Sequence, residues 1–178
     1  MLLVFQYGSN CMAARLNGPN RLNGHAEDLG HAKTVEDFDI AFDVYSQTNG
    51  CAASDLIRFP KRKAWGVLYE IPEDFIHGTP ADGQKTLQQF EGPRYEEEPI
   101  RAIDKDGNEQ EAVTFLVRDA ERRPGIATSA AYVSWIIYGL REHAVPEDYI
   151  AHVIEVAIET NQRARAFAAE QLRLIKTL

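Results

Sequence analysis

Hydrophobic and polar residues alternate in short runs through the first two thirds of the chain, a pattern typical of half-buried β-strands. Asp106-Gly107 separates the last two of these runs, and this dipeptide favours a tight hairpin turn. The first two thirds of the chain are therefore predicted to be rich in β-structure. The predicted strands are Leu2–Gln6, 31–36, 39–45, 54–59, 64–71, 95–103 and 109–117.

In the last third of the chain, apolar residues recur every three or four positions, as they do on one face of a helix. One helix is predicted at 129–143, with Ser129 as its N-cap. A second starts at Glu147 and either runs to the end of the chain or breaks near 160–161. Shorter helical segments are predicted at 11–16, after Pro72 and at 84–90.

The order of these elements, strands first and helices last, predicts an α+β fold with a small, mostly antiparallel sheet. Many short strands in one sheet favour strong curling or closure into a β-barrel flanked by helices, although the pattern alone does not prove closure. A length of 178 residues suits a single domain spanning 1–178.

The charge and cysteine content narrow the range of partners. A net charge of −8 disfavours binding to nucleic acid, because an acidic chain repels phosphate backbones. Cys11 and Cys51 form neither a CxxC pair nor a metal-binding spacing, which indicates a reducing compartment. The apolar start is too short for a signal peptide or a membrane span, so a cytoplasmic location without membrane association is predicted.

The loop Tyr7-Gly8-Ser9-Asn10, directly after the first strand, is the first candidate for chemistry. Gly8 lets the chain turn sharply, and consecutive backbone N–H groups in such a turn can bind a carboxylate or a developing oxyanion. Four common turn-forming residues are also typical of a plain β-turn, and the motif alone leaves both interpretations open.

Glu91 is the second candidate. It ends the predicted helix at 84–90 and is flanked by Phe90 and Pro93, whose apolar surface would desolvate the carboxyl group and raise its pKa. A raised pKa suits a group that shuttles protons near neutral pH. The plainer interpretation is an exposed glutamate at a helix end.

Other chemistries find less support. The sequence contains no HxxxH, HExxH or G-x-S-x-G motif and no glycine-rich phosphate loop. Glu96-Glu97-Glu98 is interpreted as a solvated edge strand rather than a metal site, and Cys11 as a small buried thiol rather than a nucleophile. Neither a metal nor a cofactor is expected.

Four segments, in chain order, carry a resemblance to a known family: FQYGSN at 5–10, AWGVLYE at 64–70, LQQFEG at 87–92, and the stretch between Ser129 and Tyr149. They resemble the opening YGSN signature, a central strand, the "LDxxEG" segment and the C-terminal helical segment of the gamma-glutamylcyclotransferase family. Tyr95 also follows Glu91 at the spacing that is common in the family. Glu97 is a departure, because many members carry a basic residue there, and Cys11-Met12 follows YGSN where members vary.

The resemblance implies a small β-barrel flanked by helices and an enzyme that needs no cofactor. In the family's reaction, the α-amine of a gamma-glutamyl amide attacks its own γ-carbonyl and releases 5-oxoproline and a free amine, as in glutathione metabolism. The glutamate of LDxxEG is the family's catalytic residue, so Glu91 is expected to act as general acid/base. The residues expected to bind the substrate are Tyr7, Gly8, Ser9, Asn10, Tyr95 and Tyr132.

Several alternatives stay open at this point. The gamma-glutamyl donor could be an amine derivative or a glutathione-like peptide. A non-catalytic module that binds small molecules could keep the same pocket, since resemblance transfers fold better than activity. The C-terminal helices could serve protein interaction, with the chain a monomer or a homodimer.

Overall fold

The computed structural model describes residues 1–80, 83–123 and 125–177. It contains seven strands, four α-helices and three short 3-10 turns within these ranges. The strands are β1 (Leu2–Gln6), β2 (Glu27–Thr34), β3 (Phe38–Ser46), β4 (Cys51–Arg58), β5 (Trp65–Ile71), β6 (Tyr95–Asp104) and β7 (Glu109–Val117). The helices are α1 (Ala13–Leu16), α2 (Leu87–Glu91), α3 (Ala130–Glu142) and α4 (Glu147–Ile175), and the 3-10 turns are Ser9–Cys11, Glu73–Phe75 and Asp119–Glu121.

Five of the strands form a closed barrel in the order β1-β5-β2-β6-β7. Neighbouring strands are antiparallel, except that β1 meets β7 in parallel where Val4 lies opposite Val113. The predicted α+β class and mostly antiparallel sheet are confirmed, and the closure that the sequence left open is present. β3 and β4 pair only with each other and form a separate two-stranded sheet.

Alternation along β1 explains how the barrel packs on both faces. Val4 belongs to a buried cluster that includes residues of α3 and α4, whereas the next residue, Phe5, belongs to a second cluster dominated by strand residues. β5 approaches β1 so closely at Gly66 that a Cβ there would lie 2.2 Å from the carbonyl oxygen of Gln6. Gly66 is therefore required by the close contact between two barrel strands.

The structure decides the alternative that the sequence left open for the helical tail. Ser129 caps α3 as predicted, since its Oγ accepts a hydrogen bond from the amide of Tyr132. The possible break near 160–161 does not occur, because Thr160 is buried against the domain and the Asn161 side chain accepts a hydrogen bond from the amide of Thr128. None of the helices in the described ranges combines the length and the hydropathy needed to cross a bilayer.

Several predicted elements were wrong in their bounds or type, among them β4, which begins at Cys51, three residues before the predicted strand. β2 begins at Glu27, four residues before the predicted strand, and Pro72 is followed by a single 3-10 turn instead of a helix. α2 begins at Leu87 because Thr86 and Gln89 form a capping box, in which each side chain bonds the other residue's backbone amide. The predicted loop at 78–83 includes 81 and 82, which lie outside the described residues.

Candidate active site

The turn after β1 and the end of α2 meet at one edge of the barrel. The Asn10 side-chain nitrogen donates a hydrogen bond to Oε1 of Glu91 at 2.9 Å, although 81 positions separate the two residues in the sequence. Asn10 is buried in the 3-10 turn Ser9–Cys11, which overlaps the end of the loop. Glu91 is half-buried and is the last residue of α2. The two candidates singled out from the sequence are therefore neighbours in space.

Two connected hollows open beside this pair. The smaller one has a volume of about 30 Å³ and the larger one about 640 Å³. All seven sequence-predicted site residues line the smaller hollow. The residues that line both hollows are Ser9, Asn10, Glu91, Tyr95 and Tyr132.

Gly8 is needed for a different reason from the one inferred from the sequence. Its backbone has φ −99° and ψ −148°, which other residues also adopt, so the turn itself does not demand a glycine. A Cβ at this position would instead lie 2.3 Å from Oγ of Ser54. The loop uses glycine because β4 approaches it closely.

Ser54, on β4, forms hydrogen bonds with two of the predicted tyrosines, and no sequence motif identifies it. Its backbone amide donates to the Tyr132 hydroxyl at 3.1 Å, and its Oγ lies 3.0 Å from the same hydroxyl. Its carbonyl oxygen accepts a hydrogen bond from the Tyr95 hydroxyl at 2.9 Å. Because the Tyr95 proton is already used in this bond, the hydroxyl can offer a ligand only a lone pair.

Tyr7, Tyr95 and Tyr132 together form one wall of the smaller hollow, called the tyrosine wall below. The Tyr7 hydroxyl donates to the carbonyl oxygen of Phe115 at 2.6 Å, which ties the end of β1 to β7. Burial raises the pKa of Tyr7, Tyr95 and Tyr132, so all three hydroxyls stay protonated at neutral pH. The wall is polar and uncharged, and it leaves Glu91 as the titratable carboxyl of the smaller hollow.

Glu91 has the electrostatics of a proton shuttle. Burial raises the pKa of its carboxyl from 4.5 to about 7, against the opposing effects of the Arg21 charge, the Asn10 hydrogen bond and the Arg15 charge. Phe90 lies beneath the Arg21 guanidinium, whose carbon is 4.8 Å from the ring centre. A carboxyl group with a pKa near 7 can both accept and release a proton at neutral pH.

The larger hollow is cationic, although the chain as a whole is acidic. Among the described residues that line this hollow, one is acidic, Glu91, and four are basic. Arg15 lies over the ring of Trp135 at 3.9 Å, and its buried Nε finds no hydrogen-bond partner within the described ranges. Sequence reasoning missed this group, because the cations come from separate segments without a shared motif. The four are Arg15, Arg21, Lys85 and Arg94.

Two residues that the sequence analysis discussed lie away from the hollows. Cys11 is buried, its thiol donates to the carbonyl oxygen of Gln6 at 3.0 Å, and burial raises its pKa. Glu97 forms an ion pair with His77, with 3.2 Å between the carboxylate oxygen and Nε2. Among the described strands, Glu96-Glu97-Glu98 pairs with β7 alone, because β2 pairs with β6 only at 102–104, so this stretch has the solvated edge predicted from the sequence. No cluster of three metal-ligating side chains occurs in the described part of the chain.

No family model and no curated protein matches the chain. Among solved structures, a protein described as gamma-glutamyl cyclotransferase has a TM-score of 0.71 and 21% identity over 85% of both chains. The uncharacterized protein loc79017 from Homo sapiens has the same TM-score, with 22% identity over 85% of both chains. A yeast gamma-glutamyl cyclotransferase specific to glutathione has a TM-score of 0.53 and 10% identity, over 90% of this chain and 99% of that one.

The fold of this chain agrees with the first two of these structures over 85% of both chains. Identities of 22% or less in these structures establish a shared architecture, while the chemistry has to be argued from the site itself. The chain has the fold of the gamma-glutamylcyclotransferase-like family, which confirms the resemblance seen in its sequence motifs.

Proposed function

We propose that this chain is a cofactor-independent gamma-glutamylcyclotransferase. The single observation that carries the proposal is the position of Glu91: its carboxyl has a pKa of about 7, is bonded to Asn10, and lies where the two hollows join. In the proposed reaction, the α-amine of the substrate forms a bond to its own γ-carbonyl carbon. The bond from that carbon to the leaving nitrogen breaks, giving 5-oxoproline and a free amine.

Glu91 would move two protons in succession, because the α-ammonium nitrogen has three hydrogens and the ring nitrogen of 5-oxoproline has one. The ionised carboxylate first takes a proton from the α-ammonium group, which makes the amine a nucleophile, and then gives it to the leaving nitrogen. The regenerated carboxylate takes the second proton from the ring nitrogen and passes it to the released amine, which leaves as an ammonium ion. The residue ends in its starting state, so no external acid, base or cofactor is consumed.

The glutamyl group would lie folded beside Glu91, with one end reaching into the smaller hollow and the rest in the larger one, because about 30 Å³ is too little space for the whole group. Attack within one molecule requires that rotational freedom be lost before the reaction, and a close-fitting pocket supplies this. The first amides of the Ser9–Cys11 turn have no acceptor inside that turn and are suited to the glutamyl carboxylate or the oxyanion. The Tyr95 oxygen, which has a free lone pair, would accept a hydrogen bond from the α-ammonium group.

The larger hollow would hold the leaving amine, and its charge favours one kind of substrate. A volume of about 640 Å³ is more than a simple alkylamine fills. The guanidinium of Arg15, half-buried without a carboxylate partner among the described residues, is a group that an anionic ligand would stabilise. We therefore favour gamma-glutamyl amino acids or peptides, whose leaving amine carries a carboxylate, over gamma-glutamyl alkylamines.

The test is release of 5-oxoproline from a panel that contains both classes of substrate. We expect the wild type to act on the carboxylate-bearing class, and Glu91→Gln to lose a factor of about 10²–10⁴ in kcat. Arg15→Gln should reduce kcat/KM for the amino-acid derivatives more than for the alkylamines. If Glu91→Gln folds and retains the parent rate, Glu91 is not the proton shuttle.

The same panel distinguishes an enzyme from a non-catalytic binding module. Calorimetry that detects binding of a gamma-glutamyl compound, together with no 5-oxoproline in any assay, would favour the binding module. The cytoplasmic location, the single-domain organisation and the choice between monomer and homodimer stay predictions from the sequence.

A further inference from the structure

Arg21, in the loop between α1 and β2, contacts the Asn10–Glu91 pair and also lines the larger hollow. Its terminal nitrogen donates a hydrogen bond to Oδ1 of Asn10 at 2.7 Å, and the other end of the same amide donates to Glu91 at 2.9 Å. Arg21, Asn10 and Glu91 therefore form a linear chain of hydrogen bonds that ends on the carboxyl group.

The chemistry of the three side chains fixes the direction of this chain. An arginine has only donors, so the Asn10 oxygen must face Arg21 and the Asn10 NH₂ group must face Glu91. Without Arg21, the Asn10 amide could turn over and present its oxygen to Glu91. That orientation would accept a hydrogen bond from the protonated carboxyl and stabilise the acid form instead of the carboxylate.

Local structure holds Arg21 in place for this contact. The neighbouring Leu22 is fully buried, and its amide bonds the carbonyl oxygen of Leu16 at 3.1 Å. Asn17 closes the loop by bonding both the amide and the carbonyl oxygen of Ala26. An arginine held on such a braced loop has little freedom to leave the amide.

We propose that Arg21 is a positioning residue: by fixing the Asn10 amide, it keeps the amide NH₂ directed at Glu91 and so holds that carboxyl ready as a base. This inference rests on the proposed function and goes beyond it, because Arg21 acts through Asn10 and does not need to touch the substrate. The Arg21 charge also acts on Glu91 directly, and the test must separate the two effects.

Several charged or titratable groups face Glu91 and could contribute to its titration. Arg15 serves for comparison, because its charge also acts on Glu91. In the described part of the chain it does not form a hydrogen bond with Asn10. The groups that face Glu91 are Arg15 from α1, Arg21 from the loop, Tyr7 from the end of β1, Tyr95 from β6 and Tyr132 from α3.

The first measurement is the pH profile of kcat/KM for the wild type, Arg21→Gln, Arg21→Lys and Arg15→Gln. Loss of a neighbouring favourable charge and of a fixed donor raises a carboxyl pKa by about one unit or more. The acid limb of Arg21→Gln should therefore move upward by about one pH unit, with about a tenfold loss at pH 6 and little loss at pH 8.5. Lysine is also only a donor, so Arg21→Lys should return the limb toward the wild-type position.

The second measurement repeats Arg21→Gln in an Asn10→Ala background, where the amide is gone and only the direct charge effect is left. We expect the shift caused by Arg21→Gln to be smaller there by the part that passes through Asn10, and to stay larger than that of Arg15→Gln because the Arg21 charge acts more strongly on Glu91. Equal shifts in both backgrounds would overturn the proposal, because they would show that Arg21 acts by charge alone.

A readout that needs no turnover keeps this inference separate from the proposed function. The ¹³C carboxyl signal of Glu91, assigned by its absence in Glu91→Gln, reports the titration directly in each variant. If the wild type releases no 5-oxoproline but Arg21→Gln shifts this titration through Asn10, the proposed function fails and the positioning role stands. If turnover is present and the titration is unchanged by Arg21→Gln, only the positioning role fails.

Discussion

Asp55 and Glu91, two of the acidic side chains whose pKa burial raises, occupy opposite kinds of environment. Burial raises the pKa of Asp55, on β4, to about 6, and that of Glu91, at the end of α2, to about 7. The Asp55 side chain is 0% exposed and fully bonded: it accepts from the amides of Leu56 and Val117, both at 2.8 Å, and from Nε of Arg122 at 2.9 Å. Glu91 has one amide hydrogen bond and borders two hollows.

The comparison teaches that a shifted pKa does not by itself mark a catalytic group. The bonds to Asp55 join the β3–β4 sheet to β7 and to the 118–122 segment, which is a structural task. Glu91 has unused acceptor capacity that faces open space, where a substrate proton could reach it. Access, and not the size of the pKa shift, separates the two roles.

The largest expected effect comes from converting each carboxyl to an amide. Glu91→Gln should lower kcat for 5-oxoproline release by about 10²–10⁴, because it removes the proton shuttle. Asp55→Asn should change kcat of the folded enzyme by less than about tenfold, since Asp55 reaches no substrate. Steady-state assays at a temperature where both variants are folded test this, and equal losses in the two variants would erase the distinction.

The free energy of unfolding should rank the same two variants in the opposite order, with Asp55→Asn the more strongly affected. Asp55→Asn removes the fully buried carboxylate that pairs with Arg122, and it sets an amide NH₂ group against other donors. Among the described residues, Arg122 then keeps only the more exposed Asp43 and Asp119 as partners. We expect a cost of about 3 kcal/mol in the free energy of unfolding. Glu91→Gln should not destabilise the protein at pH 7. Urea denaturation of both variants measures the difference, and a stable Asp55→Asn would show that the buried carboxylate is dispensable.

Gly8→Ala probes the contact between the two regions, because it forces a Cβ to 2.3 Å from Oγ of Ser54, the residue before Asp55. We expect a loss of about 1–3 kcal/mol in stability, together with reduced turnover as Ser54 shifts away from Tyr95 and Tyr132. In the double variant Gly8→Ala/Ser54→Ala the clash is gone and much of the stability should return. No recovery in the double variant would mean that Gly8 is required for its backbone conformation instead.

The smallest effect is the pH dependence of stability at Glu91. The folded-state pKa of about 7 exceeds the value of 4.5 for a free glutamate, so the folded state holds this proton more tightly. The wild type should therefore lose stability as pH rises from 4.5 to 7, and Glu91→Gln should escape that loss. At pH 8 the free energy of unfolding of the variant should exceed that of the wild type by on the order of 1–2 kcal/mol. At pH 4 the two proteins should be equally stable.

Thermal unfolding across this pH range makes the comparison, with Glu155→Gln as the control. Glu155 is exposed on α4, lies outside both hollows and has no ion pair among the described residues, so its replacement should leave the pH dependence close to that of the wild type. A stability difference between Glu91→Gln and the wild type that does not vary with pH would contradict the raised pKa of Glu91.

The periodic parts of the fold could be predicted from the sequence because they depend on near neighbours. Alternation identified β3 and β5, and the helical period with its Ser129 cap identified α3. The start of α2 was missed although its signal was present, since Thr86 and Gln89 have the spacing of a capping box. Burial of Asp39 within an otherwise alternating strand could not be foreseen, because its partner, His152, comes from α4.

The sequence by itself determined the strands, the helical tail, the turn after β1 and the candidacy of Glu91, since each of these follows from residues adjacent along the chain. Only the tertiary structure decided the closure of the barrel, the separation of β3 and β4, and the partners of the candidate site. Asn10 and Glu91 are 81 positions apart, and Ser54 and Tyr132 are 78 apart. Contacts across such distances depend on how whole elements pack, and no local pattern of residues encodes them.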